Sequence, residues 1–379
     1  MKKTELIHIV GSLSRDTGGP HTSLLALLSD SGLLEGGIRQ TIICSMPKWE
    51  FQELNVCVQR RLRVFWSHFG YLYPFFVFLS LLRARQNNNI DVLNVHGIYG
   101  LYALVSILFA LSSGCRLVIS TRGMINRKNF LKQASFTKAL FVRFLRFLIR
   151  GKKNLTIHVT SETELEFVQP LFCNNKIVLA PNLPRFGPEV FPVYAVLPRR
   201  QRKRLLYFGR CSKAKNLNLL VDWWASHYEL MGNMWELCIC GPVESDMRDR
   251  LVQLQTRDIV TLLPAVYETN DVIELFGTAD ASVHPSFSEN FGHSIYESLR
   301  LGIPCIVTED CPWSGMVREC SAGMVFKVGP ENFWGVLEKF LKLSDSDHKK
   351  MRSSAVMAGE FLRPLEPTKY CELYRDSDL

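Results

Sequence analysis

The chain has 379 residues, of which 47% are hydrophobic, enough to form two cores of ordinary domain size. Lys and Arg number 45 against 36 Asp and Glu, so the formal net charge is +9. This balance favours an anionic partner, but no helix-turn-helix, zinc-finger or aromatic RNA-binding signature accompanies it, and we expect no nucleic acid as partner. The eleven cysteines are scattered in mostly apolar context, which predicts reduced thiols in a cytosolic protein rather than disulfides or a zinc site.

The first predicted elements are a strand over Leu6 to Val10 and a helix that follows Gly18 and Gly19. The residues before the strand are too few and too polar for a signal peptide. The charge-free stretch Val64 to Leu82 has 19 residues, near the length of a membrane span. Because polar residues, a glycine and a proline interrupt it, we interpret it as a helix of an N-terminal domain; contact of one of its faces with lipid stays open.

Three further strands of the amino-terminal half end in polar residues: Asp91 to Gly97, Leu117 to Met124 and His158 to Glu164. His96 and Arg122 stand at two of these strand ends, where ligands of open α/β sheets bind. A hydrogen-bonded structural histidine and a salt-bridged loop arginine are the simpler interpretations of the two residues, and both stay open at this point.

Cations alternate with Phe and Leu from Arg127 to Lys153. This pattern predicts a basic amphipathic helix suited to the anionic surface of a membrane. An ordinary surface helix that packs by its apolar face is the alternative.

Prolines concentrate between Pro181 and Pro198, and a basic run follows them. Each half of the chain alternates buried strands with helices, which predicts mostly parallel sheets. We therefore expect an α/β protein with four parts: an N-terminal domain over 1–185, a linker over 186–203, a C-terminal domain over 204–355, and a helical tail over 356–379 that packs back on the N-terminal domain.

The C-terminal half begins with a strand that ends in Gly209 and Arg210, and Lys215 precedes the next helix. Fixed cations at such a strand end can neutralise a diphosphate, although a solvated basic loop would look the same. Glu289 and Glu297 lie eight positions apart, in a loop after a strand and in the helix that follows it. Solvated helix carboxylates are the simpler alternative for this pair.

Gly292 lies where that helix begins, so backbone N–H groups there can approach an anion or a sugar hydroxyl without obstruction. Together these segments resemble a retaining glycosyltransferase of the glycosyltransferase family 4 type, in a branch that builds polysaccharide or lipopolysaccharide. The resemblance rests on Gly18-Gly19, Gly209-Arg210 with Lys215, Glu289 to Glu297, Gly302-Ile303-Pro304 and Cys311-Pro312-Trp313. It implies the GT-B fold, in which two Rossmann-like, doubly wound parallel-sheet domains face each other across a cleft.

The resemblance also implies roles for single residues. The catalytic candidates are Glu289, Arg210, Lys215, His96 and Arg122. The donor-binding candidates are Gly18, Gly19, Gly209, Asn290, Phe291, Gly292 and Glu297. Two positions depart from many relatives: Asn216 replaces a glycine after the lysine, and Arg122 replaces a histidine near the donor sugar. Asparagine tolerates the turn geometry of the glycine that it replaces.

The function implied is transfer of a hexose from a UDP- or GDP-linked sugar to a glycan acceptor. The acceptor is expected to be lipid-linked, in the synthesis of capsule, exopolysaccharide or lipopolysaccharide, by a cytoplasmic protein peripheral to the inner face of the cell membrane. The N-terminal domain would bind the acceptor and the C-terminal domain the donor, without a metal ion or other cofactor. Closure of the two domains would exclude water.

Three other classes of function were weighed. A nicotinamide dehydrogenase would need a Gly-x-Gly turn, and the chain contains none. A sugar-nucleotide epimerase of the same fold stays open, since it uses the same donor without an acceptor. A non-catalytic membrane-associated scaffold stays open too.

Overall fold

The computed structural model describes residues 4–29, 33, 36–54, 56–125, 136–186, 201–287, 289–362 and 368–374. The chain divides into two compact units. Unit 1 comprises Met1–Leu183 and Leu365–Leu379, and unit 2 comprises Pro184–Pro364. Most of the expected linker over 186–203, and the start of the expected amphipathic helix before residue 136, lie outside the described residues.

Unit 1 contains a parallel sheet of seven strands, whose spatial order is β3-β2-β1-β4-β5-β6-β7. The strands are β1 (Thr4–Val10), β2 (Ile38–Met46), β3 (Leu62–Trp66), β4 (Val92–His96), β5 (Arg116–Ser120), β6 (Leu155–Val159) and β7 (Lys176–Leu179). The helices are α1 (Gly19–Ser29), α2 (Lys48–Glu53), α3 (Val56–Gln59), α4 (Tyr73–Gln86), α5 (Leu101–Ser113), α6 (Phe136–Ile149) and α7 (Glu162–Leu171). The strand order reverses between β1 and β4, and ligands of open parallel sheets bind at such a point.

Successive side chains of a buried strand point to opposite faces of the sheet, so apolar residues lie on both faces. Helices cover both faces and bury these residues. In β1, Ile7 and Ile9 join the core beneath α4, α5, α6 and α7. Leu6 and Val10 join the core beneath α1 on the other face.

Unit 2 contains a parallel sheet of six strands in the order β10-β9-β8-β11-β12-β13, which reverses between β8 and β11. The strands are β8 (Lys203–Phe208), β9 (Trp235–Cys240), β10 (Thr261–Leu263), β11 (Ala281–His284), β12 (Cys305–Thr308) and β13 (Gly323–Phe326). The helices are α8 (Leu217–Met231), α9 (Ser245–Thr256), α10 (Thr269–Gly277), α11 (His293–Arg300), α12 (Ser314–Glu319), α13 (Pro330–Leu341) and α14 (Asp345–Phe361). The predicted α/β class with two doubly wound parallel sheets is confirmed.

The last described helix, α15 (Thr368–Tyr374), returns to unit 1. Its Tyr370 and Tyr374 are buried in the core beneath α1. The expected tail started at residue 356, but α14 continues to Phe361 within unit 2. Among the described residues, the part of the chain that belongs to unit 1 at this end begins with α15, at Thr368.

The prediction of one helix over Val64 to Leu82 is wrong in its first half. β3 continues to Trp66, a 3₁₀ helix spans Ser67–Leu72, and α4 begins only at Tyr73. Pro74 lies in the first turn of α4, where a missing N–H costs no helical hydrogen bond. Within the described residues, no helix is long and apolar enough to cross a bilayer.

Candidate functional site

The first cluster of candidate residues lies in unit 2, at the carboxyl ends of β8 and β11. Gly209 follows β8 with φ of 150°. A Cβ on Gly241, which follows β9 with φ of 146°, would lie 2.0 Å from the Gly209 carbonyl oxygen. Only glycine allows these two strand ends to approach so closely, and this contact holds the loop after β8 in place.

Lys215 and Glu289 form an ion pair across this strand end. The Lys215 ammonium donates to both carboxylate oxygens of Glu289, each at 2.8 Å. The side chains are 29% and 13% exposed, so the pair is accessible from solvent on the lysine side. Burial alone would raise the pKa of Glu289, but the neighbouring Lys215 ammonium brings that pKa below its ordinary value. Glu289 is therefore an ionised carboxylate held by one cation.

Asn216 supports the same loop. Its backbone is left-handed, with φ of 56°, and its side-chain amide donates to the Pro285 carbonyl at 3.1 Å. This links the loop after β8 to the loop after β11. The expectation that asparagine can take the place of glycine in this turn agrees with this geometry.

Arg210 lies in the same loop as Lys215 but has a different partner. Its Nε is 3.4 Å from a carboxylate oxygen of Glu244, and both side chains are more than 40% exposed. Its backbone carbonyl accepts a hydrogen bond from the Tyr207 hydroxyl at 2.8 Å. The structure therefore anchors the backbone of Arg210 while its guanidinium stays at the surface.

Glu297 is buried in α11, with 1% of its surface exposed. Burial raises the pKa of its carboxyl group, and the Arg185 guanidinium, whose Nε lies 3.3 Å from Oε1, opposes that shift. Arg185 also donates to the Tyr267 carbonyl at 2.8 Å. Arg185 is not among the predicted site residues, and its only signal in the sequence is a cation beside the proline-rich stretch. Glu289 and Glu297 thus pair with different cations.

Aromatic side chains fix the backbone from Asn290 to Gly292. Gly292 has φ of 74° and precedes the first residue of α11. The Trp313 indole donates to the Phe291 carbonyl, and the Phe291 ring packs edge-on against Trp313 at 5.3 Å. This explains the role of the Pro-Trp motif: it orients the loop that starts the helix.

The second cluster lies in unit 1, on the α1 face of the sheet. His96 ends β4, and the register places it beside Ser120, which in turn lies beside His158. His8 in β1 contacts His96 through ring nitrogens 2.9 Å apart. A polar row therefore crosses four adjacent strands, β1, β4, β5 and β6.

The hydrogen bonds of this row assign the proton of each ring. Arg122 Nε donates to His96 Nδ1 at 3.1 Å, so His96 Nε2 carries the proton and donates to His8 Nδ1. His8 Nε2 then donates to Gln40 Oε1 at 3.1 Å. Burial lowers the pKa of His8 to about 3 and that of His96 well below 6.5, and the charge of Arg122 adds to both shifts. Both rings are neutral, and both nitrogens of His96 have partners, as the structural alternative for this residue requires.

Arg122 has a backbone φ of 51° and donates through Nη1 to Ser23 and Asn182. These partners are neutral, which does not fit the alternative of a salt-bridged loop arginine. No described residue accepts a hydrogen bond from its buried Nη2. That nitrogen is a donor suited to a ligand oxygen.

The turn that carries Arg122 is held by a buried carboxylate that the sequence analysis did not select. Glu164 accepts from the Thr121 hydroxyl and the Gly123 N–H, both at 2.6 Å. Its other oxygen accepts from the N–H and hydroxyl of Thr160 at 2.9 and 3.0 Å. The sequence does mark Glu164: it stands three residues after Ser161, the N-cap residue of α7, which is the spacing of a capping box.

Gly18 and Gly19 lie at the start of α1. Gly18 has φ of 66°, and a Cβ there would meet no atom within 4 Å, so backbone conformation rather than space requires glycine. Gly19 is the first residue of the helix. No group of three or more His, Cys, Asp or Glu side chains in the described parts of either unit is arranged to hold a metal ion.

Residues 195–356 match the family described as "Glycosyl transferases group 1". No curated protein matches the chain by sequence.

Three solved structures share the fold over nearly the full length of both chains. Sucrose-phosphate synthase from Thermosynechococcus elongatus has a TM-score of 0.71 at 12% identity, with 97% of each chain covered. WaaG, a glycosyltransferase involved in lipopolysaccharide biosynthesis, has a TM-score of 0.69 at 14% identity, with 98% of this chain and 100% of WaaG covered. HepE from Anabaena, in complex with UDP-glucose, has a TM-score of 0.70 at 15% identity, with 97% of each chain covered. The chain therefore has the GT-B fold, and the part that carries the Lys215–Glu289 pair matches the group 1 glycosyltransferases.

Proposed function

We propose that the protein is a retaining, metal-independent glycosyltransferase that moves a hexose from a nucleoside diphosphate sugar to a glycan acceptor. The match of residues 195–356 to the group 1 family supports the transfer reaction. Two proteins of similar fold, one in complex with UDP-glucose and one involved in lipopolysaccharide biosynthesis, support a nucleotide-linked donor and a cell-surface product. The donor base is uridine or guanosine, and the acceptor is lipid-linked.

The observation that carries the proposal is the Lys215–Glu289 pair at the point where the strand order of unit 2 reverses. A diphosphate brings more negative charge than a carboxylate, so it can take over the Lys215 ammonium when it binds. Arg210, held loosely by Glu244 at the surface, can turn to the same anion. Two cations then balance the charge that grows on the diphosphate as the glycosidic bond breaks.

Glu289, once released from Lys215, and the backbone from Asn290 to Gly292 are assigned to the donor sugar. Glu297 is assigned to the ribose hydroxyls. Its partner Arg185 favours the ionised form against the effect of burial, which keeps the carboxylate an acceptor for two hydroxyl groups.

Unit 1 is assigned to the acceptor, with Arg122 and its unpartnered Nη2 as the contact to an oxygen of the sugar substrates. His96 acts on the reaction through Arg122, because its two nitrogens already bind Arg122 and His8. Gly18 and Gly19, at the start of α1, are assigned to the donor phosphate, and a Cβ added at Gly18 would meet no atom within 4 Å.

The chemical step is a substitution at the anomeric carbon. The bond from this carbon to the diphosphate oxygen breaks, and a bond to an acceptor hydroxyl oxygen forms on the same face. The hydroxyl proton passes to the leaving diphosphate. This requires no metal ion, since Lys215 and Arg210 supply the positive charge.

The test starts with thermal shifts of the protein over a panel of UDP- and GDP-sugars, since a ligand that binds only the folded state raises the melting temperature. The donor that binds is then incubated with lipid-linked and free glycan acceptors, and the anomeric configuration of the product is read by NMR. We expect Lys215→Ala to lower kcat/KM by about a hundredfold or more. Lys213→Ala is the matched control, because Lys213 belongs to the same 3₁₀ turn but is 66% exposed and 3.9 Å from Asp246.

Two outcomes would contradict the proposal. Isomerisation of the donor in the absence of any acceptor would indicate an epimerase. A Glu289→Ala variant that folds normally and still performs the biological role would indicate a scaffold.

The place of action follows from the same proposal. Nucleotide sugars and reduced thiols both suit the cytoplasm, and the nine cysteines whose side chains the structure describes are free. We therefore assign the protein to the inner face of the cell membrane, where a lipid-linked acceptor would be presented.

A further inference from the structure

The loop that follows β1 carries an arginine that binds a carboxylate of α2, the helix that follows β2. The Arg15 guanidinium donates to Glu53 Oε2 at 2.5 Å. The Arg15 side chain is 13% exposed and that of Glu53 is 52% exposed, so solvent reaches mainly the carboxylate. Among the described residues, no other donor contacts this carboxylate. Because a carboxylate can accept about four hydrogen bonds, Glu53 retains acceptor sites for a ligand.

A tryptophan lies on the same side of α2 as this carboxylate. Trp49 stands four positions before Glu53, and residues at i and i+4 are neighbours on a helix surface. The Trp49 side chain is 55% exposed, and no described residue accepts a hydrogen bond from its indole N–H. Three other tryptophans, Trp223, Trp224 and Trp235, are fully buried. Packing in a core therefore does not account for the Trp49 ring.

A buried hydrogen-bond network holds these side chains in place. Glu50, which follows Trp49 on α2, is buried and accepts from the Ser14 hydroxyl at 2.7 Å and from the Arg15 N–H at 3.0 Å. This network fixes α2 against the loop after β1. Trp49, Glu53 and Arg15 are therefore positioned without a ligand, which lowers the entropic cost of binding one. We call these three residues the Trp49 subsite.

The Trp49 subsite lies at the same edge of the sheet as the site residues of unit 1. Arg15 follows β1 and α2 follows β2, whereas Arg122 follows β5, and all these strands are parallel. Three strand spacings separate β2 from β5, which amounts to about 15 Å. The loop that carries Arg15 leads directly to Gly18 and Gly19. A ligand that contacts both Arg122 and the Trp49 subsite must therefore be longer than one sugar ring.

The charges around the Trp49 subsite balance, which favours a neutral ligand. Arg15 and Lys48 are offset by Asp16 and Glu53, and the further carboxylate of Glu50 is buried with its own partners. An indole offers an apolar face and one N–H donor. A carboxylate that an arginine orients accepts hydrogen bonds from neighbouring hydroxyl groups. Sugar rings carry both apolar C–H faces and hydroxyl groups.

We propose that the Trp49 subsite binds a sugar ring of an oligosaccharide, and that this ring belongs to the glycan acceptor, remote from the hydroxyl that reacts. The ring stacks a C–H face on the Trp49 indole, and its hydroxyl groups donate to the Glu53 carboxylate. Arg15 is a positioning residue, since it acts through Glu53. Binding of an oligosaccharide follows from the geometry of unit 1, whereas its identity as the acceptor rests on the proposed function.

The first test measures direct binding of trisaccharides to the full chain. Chitotriose, cellotriose and maltotriose are titrated in ligand-observed NMR without any nucleotide sugar, and we expect at least one of them to bind. Trp49→Leu should lower the affinity by about tenfold, because the aromatic face is lost, whereas Trp49→Phe should keep most of it. Glu53→Gln should also lower the affinity by about tenfold, because hydrogen bonds to a charged acceptor are lost.

Matched controls come from unit 2. Glu338→Gln removes a carboxylate that, like Glu53, binds one cation at 2.5 Å, here Lys342, and is 44% exposed. Phe361→Leu replaces an aromatic side chain that is 73% exposed. Both controls should bind the trisaccharide as the wild type does. The subsite variants and the controls should all keep the wild-type thermal shift by the nucleotide sugar, because the Trp49 subsite does not contact the donor.

The second test connects the Trp49 subsite to the transfer reaction. With an oligosaccharide acceptor, Trp49→Leu should raise the KM for the acceptor by about tenfold and leave the KM for the nucleotide sugar unchanged. An acceptor shortened to the reacting sugar should be used equally well by the wild type and by Trp49→Leu, because it cannot span the distance of about 15 Å. A merely structural role of Trp49 would change the use of both acceptors.

Two results would overturn the proposed subsite: none of the three trisaccharides binds, or Trp49→Leu and Phe361→Leu bind them equally well. Binding that depends on Trp49 without transfer from any nucleotide sugar would keep the subsite and refute the proposed function. Transfer with the same KM for the oligosaccharide acceptor in the wild type and in Trp49→Leu would keep the proposed function and refute the assignment of the subsite to the acceptor.

Discussion

The polar centres of the two units occupy equivalent places in their sheets but differ in their chemistry. In unit 1, His8 and His96 sit in the neighbouring strands β1 and β4, where the strand order reverses. In unit 2, Lys215 and Glu289 lie in the loops after β8 and β11, at the corresponding reversal. The first centre is a buried row of neutral histidines that accepts a hydrogen bond from Arg122, whereas the second holds an ion pair whose lysine side chain solvent can reach.

This difference suits the two centres to different tasks. A buried neutral network is costly to disturb, because each broken hydrogen bond leaves an unsatisfied polar group. It therefore suits the rigid positioning of one residue, Arg122. Ion pairs at a partly exposed site can exchange partners at low cost, because water screens the charges while they move. They suit a site that must take up a highly charged ligand and release it.

A fall in pH should produce the largest difference in stability between the two units. His8 and His158 have pKa values lowered to about 3, chiefly by burial, and that of His96 is also well below 6.5. Each remains neutral in the folded state, whereas the unfolded chain takes up protons below its ordinary pKa of 6.5. The contribution of these three histidines to the unfolding free energy is therefore fully present above pH 6.5 and is lost as pH falls below that value. At about pH 5.5, about one unit below that ordinary pKa, each histidine removes on the order of 1 kcal/mol of unfolding free energy, so the three together remove a few kcal/mol.

Unit 2 should resist the same change better. Burial lowers the pKa of His284 to about 4, and it also lowers the pKa of His348. Burial raises the pKa of Glu297, so protonation of this carboxyl group favours the folded state and opposes the loss. Hydrogen exchange at about pH 7 and 5.5, corrected for intrinsic rates, should show the β1, β4 and β6 amides opening before those of β8 and β11. Earlier opening of unit 2 would refute the contrast.

A second test removes the carboxylate that supports Arg122. Glu164→Gln replaces an acceptor oxygen by an amide group that faces backbone and hydroxyl donors, so we expect a loss of about 2 kcal/mol in unfolding free energy. The matched control is Glu166→Gln on the same helix, which is exposed and should change stability by less than about 0.5 kcal/mol. Denaturant titration measures both. Equal effects would mean that the buried carboxylate stabilises this turn no more than an exposed carboxylate on the same helix does.

The smallest expected effect concerns the returning helix α15. The Asn94 amide donates to the Tyr374 hydroxyl at 2.7 Å, and Asn94 also bonds Ser120 at 2.8 Å. Tyr374→Phe should cost about 1 kcal/mol, because the buried amide loses its acceptor. Tyr71→Phe, at a side chain 78% exposed, is the control and should be neutral. Thermal unfolding compares the two, and no difference between them would mean that α15 adds nothing to the polar row.

Much of the fold could be predicted because the information is local. Buried strands that end in glycine or polar residues identified the two halves and the loops that carry Gly209, Lys215 and Glu289. The error over Val64 to Leu82 arose because a charge-free stretch does not distinguish an edge strand from the helix that follows it. The residues Val64 to Trp66 form a strand because they pair with β2.

The sequence by itself determined the class of fold and the loops that hold candidate residues, since periodicity and turn residues act over a few positions. Only the tertiary structure decided the partners of those residues. Lys215 meets Glu289 across 74 positions of chain, Arg122 meets His96 across 26, and Arg185 reaches Glu297 from the edge of the proline-rich stretch. Such pairs depend on which strands become neighbours and on what burial leaves exposed, and neither is encoded in a local pattern.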